Sequence, residues 1–248
     1  MQYRMNFLMD VGFGLLFQSL GFVFVWIVAG QFDAIGGWTL SEITLLYGLR
    51  LTAHGIWLLF FSQLFSIDRQ VQQGEYDRML LRPIPALLQL MFGRFRVTVL
   101  GDFLGGAILL GIGFAIVDID WSVSKTLFLV AALVGGAALD GAFQLGPAAL
   151  TFRYLDSMPL RVIFDSMFMR FGGYPVSIFD RPARFLITYL VPLAFMAWVP
   201  ATILLDKTGD LPFPVWIAWC SPAIGAGLLV IAVSVFLKES RHYQSAGN

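Results

Sequence analysis

The sequence predicts an all-α polytopic membrane protein: six transmembrane helices, both termini cytoplasmic, and amphipathic cytoplasmic helices after spans 2 and 4. Three observations carry that expectation. The first is composition. Of 248 residues, 58% are hydrophobic and 13% charged, with a mean hydropathy of +0.78, whereas soluble domains carry about 25% charged residues. The second is the set of six apolar stretches long enough to cross a bilayer, which takes about 20 residues. The third is the placement of the basic residues, which fall mostly in two long connections and set orientation through the excess of Lys and Arg in cytoplasmic loops.

In chain order the spans are expected at about 11–30, 43–65, 97–117, 127–150, 185–205 and 215–237. The apolar part of the first, Val11 to Gly30, is longer than the roughly 7–15 residues of a signal-peptide core, so it reads as a retained span. Six spans put both termini on one side. Arg4, the 66–96 connection (Arg69, Arg78, Arg82, Arg94, Arg96), the 151–184 connection (Arg153, Arg161, Arg170, Arg181, Arg184), Lys238 and Arg241 make 13 of the 16 basic residues on that side. Lys125 and Lys207 lie on the other, and Arg50 falls inside span 2. The three outer connections are short, 9 to 12 residues, and the two cytoplasmic ones long, 31 and 34 residues. Both long connections interleave Leu, Phe and Met with Arg, as surface-lying or docking helices do. The whole chain, 1–248, reads as one transmembrane domain.

Several chemistries are excluded by residue type. No lysine sits in a Gly-Lys-Ser/Thr phosphate loop, so the chain has no such nucleotide site. Two histidines, His54 and His242, and one cysteine, Cys220, leave no material for an HExxH centre or a His/Cys zinc site. One cysteine also forbids an intrachain disulfide. A net charge of zero gives no reason to expect nucleic acid. The chain itself reads as neither an enzyme nor a metalloprotein.

Polar residues at membrane depth are the next signal. Arg50 and His54 are four apart and share a face of span 2. Asp102 lies early in span 3 and Asp140 near the middle of span 4. Charged groups inside spans face a bundle interior or a water-filled path, so these four are candidates for a translocation path. A structural Arg–Asp pair or snorkelling side chains is the other reading. Gly101, Gly105, Gly106, Gly111 and Gly113 in span 3 permit close helix packing, either within a subunit or between two. Pro192, Pro200 and Pro222 kink spans 5 and 6, as simple bends or beside a path.

After span 2 comes the most polar run, Gly74–Pro83, "GEYDRMLLRP". Tyr76, Met79 and Leu80 fall at i, i+3 and i+4, an apolar side, with Glu75, Asp77, Arg78 and Arg82 mainly elsewhere. Pro83 and Pro85 end the helix. The mixed charges fit docking to a cytoplasmic protein, since a helix lying on lipid carries mainly Lys and Arg; a solvated loop helix is the alternative.

Two stretches resemble the ABC-2 type exporter permeases, in particular a poorly characterised subgroup. One is Gly74, Asp77, Leu80, Arg82 and Pro83, matching G-x-x-D-x-x-L-x-R-P. The other is "YPVSIFDRPARFLITYLVPLAFMAWVPATILL", with Tyr174, Pro175, Ile178, Phe179, Pro192, Ala194, Phe195, Pro200 and Ala201. The resemblance covers essentially the whole chain. It implies a multi-pass permease of a bacterial inner membrane that exports its substrate. It implies two partners besides the lipid bilayer: a second permease subunit, identical or related, and a separate ATP-binding cassette ATPase that carries ATP and Mg. The segment at about 67–90 would couple to that ATPase through Glu75, Tyr76, Asp77, Arg78 and Arg82. An ion-coupled carrier and a non-transporting scaffold are the alternatives; the first would use Asp140.

Overall fold

The protein is described by a computed structural model that covers residues 2–93, 97–154 and 156–243. Arg94 and Arg96, counted above among the cytoplasmic basic residues, lie outside the described residues. Every regular element described is helical.

Helix α1 (Gln2–Ala29) is followed by α2 (Leu40–Phe61), whose start is fixed by a capping box. Glu42 N donates to Thr39 Oγ1, and Thr39 N donates to Glu42 Oε2, satisfying two backbone donors that a helix start leaves open. A 3₁₀ turn (Ser62–Ser66) carries α2 on into α3 (Ile67–Gln72). Two short helices follow, α4 (Glu75–Leu80) and α5 (Ala86–Phe92). Then come α6 (Thr98–Ile116), α7 (Val123–Ala148), α8 (Thr151–Tyr154) and α9 (Met158–Phe171). The remainder is α10 (Arg181–Phe185) with a π-helical turn, α11 (Trp198–Leu204), α12 (Val215–Trp219) and α13 (Ser221–Ser240).

Among the described residues, five stretches are long and apolar enough to cross a membrane: Phe7–Ile27, Leu40–Gln72, Thr98–Ile116, Val123–Tyr154 and Ser221–Ser240. Glycine lets them pack closely. A Cβ on Gly48 would lie 2.6 Å from the Leu110 backbone, one on Gly106 2.6 Å from Leu51, and one on Gly113 2.7 Å from Leu45 Cα, so α2 and α6 touch main chain to main chain. Gly101 meets Gly14 of α1 in the same way. These span 3 glycines therefore serve packing within one chain, while Gly111 faces open space. On the other side, a Cβ on Gly225 of α13 would lie 2.0 Å from Gly135 O of α7.

The bundle has two distinguishable ends. At one, Lys125 Nζ of α7 donates to Leu204 O and Asp206 Oδ2 at 3.1 and 2.7 Å, and Lys207 Nζ donates to Gly37 O and Glu42 Oε2 at 2.9 and 2.7 Å. At the other, Arg153 pairs with Glu239, and Tyr76 packs on Phe152 and Tyr243.

The expected fifth span, 185–205, is not one rod. Arg181–Leu190 and Leu193–Leu204 meet at a bend of 67°, with Pro192 at the break. Both feet of this bent segment contact the same loop. Ser177 Oγ donates to Gly36 O at 2.7 Å just before it, and Lys207 reaches Gly37 and Glu42 just after it. The segment enters and leaves at one end of the bundle.

Helix α9 was expected to lie within a cytoplasmic connection and instead runs antiparallel to α2. Arg161 near its start donates to Leu64 O, a Cβ on Gly172 just past its end would lie 3.2 Å from Arg50 Cδ, and one on Gly173 2.7 Å from Tyr47. Ser177 then meets Gly36. Helix and tail together follow α2 from its inner extension to the loop before it.

Candidate functional site

Two places collect the polar groups. The first lies mid-bundle, where α2, α7 and α9 meet. His54 Nδ1 and Asp140 Oδ2 are 2.7 Å apart, with Asp140 fully buried and His54 3% exposed. Arg50, one turn before His54, is 2% exposed. Its Nη1 lies 2.9 Å from Met169 Sδ of α9 and its guanidinium carbon 4.9 Å from the Tyr47 ring centroid. Asp165 of α9 is in electrostatic range of Arg50, His54 and Asp140.

The cluster thus holds two carboxylates, one guanidinium and one imidazole within an apolar bundle, where unpaired charge is costly. Its hydrogen bonding is incomplete. Among the described residues, Asp140 Oδ1, Asp165 Oδ1, both side-chain amide atoms of Gln144 and Arg50 Nε are buried without a partner. Unmet acceptors and donors on three helices, facing one interior, are what a hydrated path or a polar substrate group would engage.

Of the four intramembrane candidates, Arg50, His54 and Asp140 come together. Asp102 does not: its Oδ1 accepts from Gln18 Nε2 at 2.8 Å, tying α6 to α1. Sequence reasoning missed Asp165, Met169 and Gln144. The first two sit on α9, a helix of 14 residues with Arg161, Asp165 and Arg170, too short and too charged to read as membrane-embedded. The available signal was the i, i+4 series Arg161, Asp165, Met169, which puts polar and soft groups on one helix face. No group of three metal-ligating side chains occurs among the described residues.

The second place is the segment after α3. Gly74 adopts φ +67°, the left-handed conformation that lets the chain turn sharply between α3 and α4. Arg78 and Arg82 are exposed, and Glu75 and Asp77 half-buried. Tyr76 behaves otherwise. It is 1% exposed, its ring 4.9 Å from Phe152 and 5.0 Å from Tyr243, and burial pushes its phenol above the usual range. Tyr76 therefore anchors α4 to the bundle and does not present itself to a partner. Leu80, expected on the apolar side with it, is exposed. Gln89 Nε2 braces the turn by donating to Met79 O and Ile84 O at 2.8 and 2.7 Å. Between α3, α4 and α5 lies an open cavity of about 610 Å³, lined by Gln70, Glu75, Arg78, Met79, Arg82 and Leu88 among others.

A bundle of apolar helices with a charged, left-handed turn after its second span is matched by the family profile for ABC-2 family transporter protein over residues 15–247. The chain is an ABC-2 family transporter permease. It is accordingly a multi-pass membrane protein. Searches of curated proteins and of solved structures return no match. In such a permease the mid-bundle cluster sits where α9 closes on α2 and α7, and the α3–α5 segment forms one exposed end.

Proposed function

We propose that this permease forms the translocation path of an exporter and takes its energy from a separate ATP-binding cassette ATPase. That ATPase would carry the ATP and Mg and dock on the α3–α5 segment. The observation that carries this reading is the combination at that segment. Exposed Arg78 and Arg82 and half-buried Glu75 border an open cavity, with half-buried Asp77 on the same short helix, and the sequence has no Gly-Lys-Ser/Thr phosphate loop. Two permease subunits, identical or related, would line one path, with His54, Asp140, Asp165 and Arg50 as its polar residues in each.

The fifth crossing in this reading is α9 with its tail to Ser177, and residues 181–204 dip into the outer leaflet and return. The basic residues still favour the α3–α5 end as cytoplasmic. With Arg181 and Arg184 moved to the opposite face, and Arg50 and Arg170 along spans, eight basic residues among the described ones fall at the α3–α5 end and four at the other. Both termini remain on the cytoplasmic face of a bacterial inner membrane.

The test is a native pull-down of the tagged permease with identification of any partner that contains a phosphate loop, repeated for Arg78→Glu with Arg82→Glu. Recovery of an ATPase with the parent chain, and loss of most of it with the double variant, is the expected result. Recovery of the same ATPase at the same yield and turnover with the double variant would remove the docking assignment. Recovery of none, together with proton-driven transport by the purified chain, would replace the reading with a carrier.

A further inference from the structure

The segment proposed to dock on the ATPase and the mid-bundle polar cluster are separated by most of the length of α9, yet one carboxylate joins them. Asp68 lies in α3, six residues before Gly74. Its Oδ1 accepts from Thr151 Oγ1 at 2.6 Å, Ser157 N at 2.8 Å and Ser157 Oγ at 2.9 Å. Its Oδ2 accepts from Arg161 Nη2. Arg161 also donates from Nη1 to Leu64 O and from Nε to Ser157 Oγ. All four side chains are buried, between 0 and 7% exposed. Three elements, the inner extension of α2, the end of α7 with α8, and the first turn of α9, are therefore pinned at a point.

The aromatic and apolar ties that α4 and α5 make to the bundle are of a different kind. Tyr76 stacks on Phe152 and Tyr243, and α5 packs on α2 through apolar side chains. Dispersion and apolar contacts are non-directional and tolerate sliding. A carboxylate holding four donors in a low-dielectric interior does not slide, because each displaced donor is left unsatisfied. Helix α9 is held to the bundle mainly on one side. It packs chiefly on α7, and Met158, Leu160, Val162 and Ile163 are exposed on its outer side. Four residues beyond Arg161 on the same face stands Asp165, and four beyond that Met169, against Arg50.

We propose that Asp68 and Arg161 are positioning residues forming a strut: it carries displacement of the docking segment into α9, and α9 shifts Asp165 and Met169 against Arg50, His54 and Asp140. The proposal rests on the ATPase-coupled reading above. It adds that the route from energy source to path runs through α9 rather than down α2 alone.

The test uses the full permease with its co-purified ATPase in lipid nanodiscs, in a Cys220→Ser background with Ser166→Cys on α9 as reporter. The maleimide labelling rate is measured without nucleotide and with Mg-ATP plus vanadate. The parent complex is expected to change its rate by between about 2-fold and about 30-fold. Asp68→Asn keeps Oδ1 for Thr151 and Ser157 and replaces the charged acceptor facing Arg161 with an NH2 donor, which breaks that contact; Arg161→Gln removes the other half. Both are expected to abolish the nucleotide response while the ATPase still co-purifies and hydrolyses ATP. Arg161→Lys, which keeps a cation on Asp68, is expected to restore part of the response and covers the case in which either neutral variant fails to fold. A pair that served stability alone would lower the melting temperature and leave the response intact, which overturns the proposal. A parent complex with a bound ATPase but no response at Ser166→Cys overturns it too, α9 then being static. Absence of any ATPase overturns the functional reading first, and the strut with it.

Discussion

Asp140 shows how much one buried group decides. It is fully buried, holds His54 through one oxygen, and leaves the other without a partner. Asp140→Asn keeps one hydrogen-bonding oxygen and should cost about 1 kcal/mol or less, whereas Asp140→Ala orphans His54 and opens a void, at about 2–4 kcal/mol. Thermal unfolding of the detergent-purified permease separates the two. Tyr76 and Arg78 make a second contrast, two residues apart on α4. Tyr76→Ala should lose about 3–5 kcal/mol by emptying the space between Phe152 and Tyr243, and Arg78→Ala should be neutral in the same assay within about 0.5 kcal/mol. The sequence placed both on a docking helix because its residues were read on an isolated helical wheel. Which face turned inward was set by Phe152 and Tyr243, residues distant in the chain that no local pattern names. Arg50, His54 and Asp140 were legible because charge is conspicuous in apolar spans. Gln144, neutral and one turn further on, was not.

Among elements, the glycines of α6 give the sharpest expectation. Gly106→Val would drive a side chain into the Leu51 and Thr52 backbone of α2, where a Cβ already meets atoms at 2.6 Å. Neither helix can yield without losing the main-chain contact along Gly48, Gly106 and Gly113, so folded yield should collapse. Gly111→Ala, five residues away, adds a methyl to open space and should stabilise by about 0.5–1 kcal/mol through helix propensity. Detergent gel filtration of the pair gives the comparison directly. Spans 1, 2, 3, 4 and 6 were readable because lipid demands about 20 apolar residues per helix. Helix α9 escaped that rule. It shelters Arg161 and Asp165 against α2 and α7, and its tail continues into a 3₁₀ turn that sets Ser177 beside Gly36. The 185–205 stretch met the hydropathy rule without running from one end of the bundle to the other, since apolar composition reports burial in lipid or protein and says nothing of direction.

At the level of the whole molecule, the proposed path of the chain is open to a labelling experiment. In a Cys220→Ser background, Arg181→Cys should react with a membrane-impermeant maleimide in intact cells, and Arg82→Cys only after permeabilisation. Labelling of both only after permeabilisation would return 151–184 to the cytoplasm and 185–205 to a full span. The proposed arrangement keeps the six passes and the common side for both termini that the sequence predicts, and differs from it only in which stretch makes the fifth pass. Exchanging one upward crossing for another upstream leaves the parity of the chain unchanged.

Gly36 and Gly37 accept from Ser177 and Lys207 through main-chain oxygens, one at each foot of the bent segment. The segment between those feet therefore leaves and rejoins the bundle through a single doorway. Residues 179–206 act as a plug: Trp198 to Leu204 are buried in the core, and Leu204 O and Asp206 hold Lys125 of α7, so a change of length between the two feet would disturb the core that the segment fills.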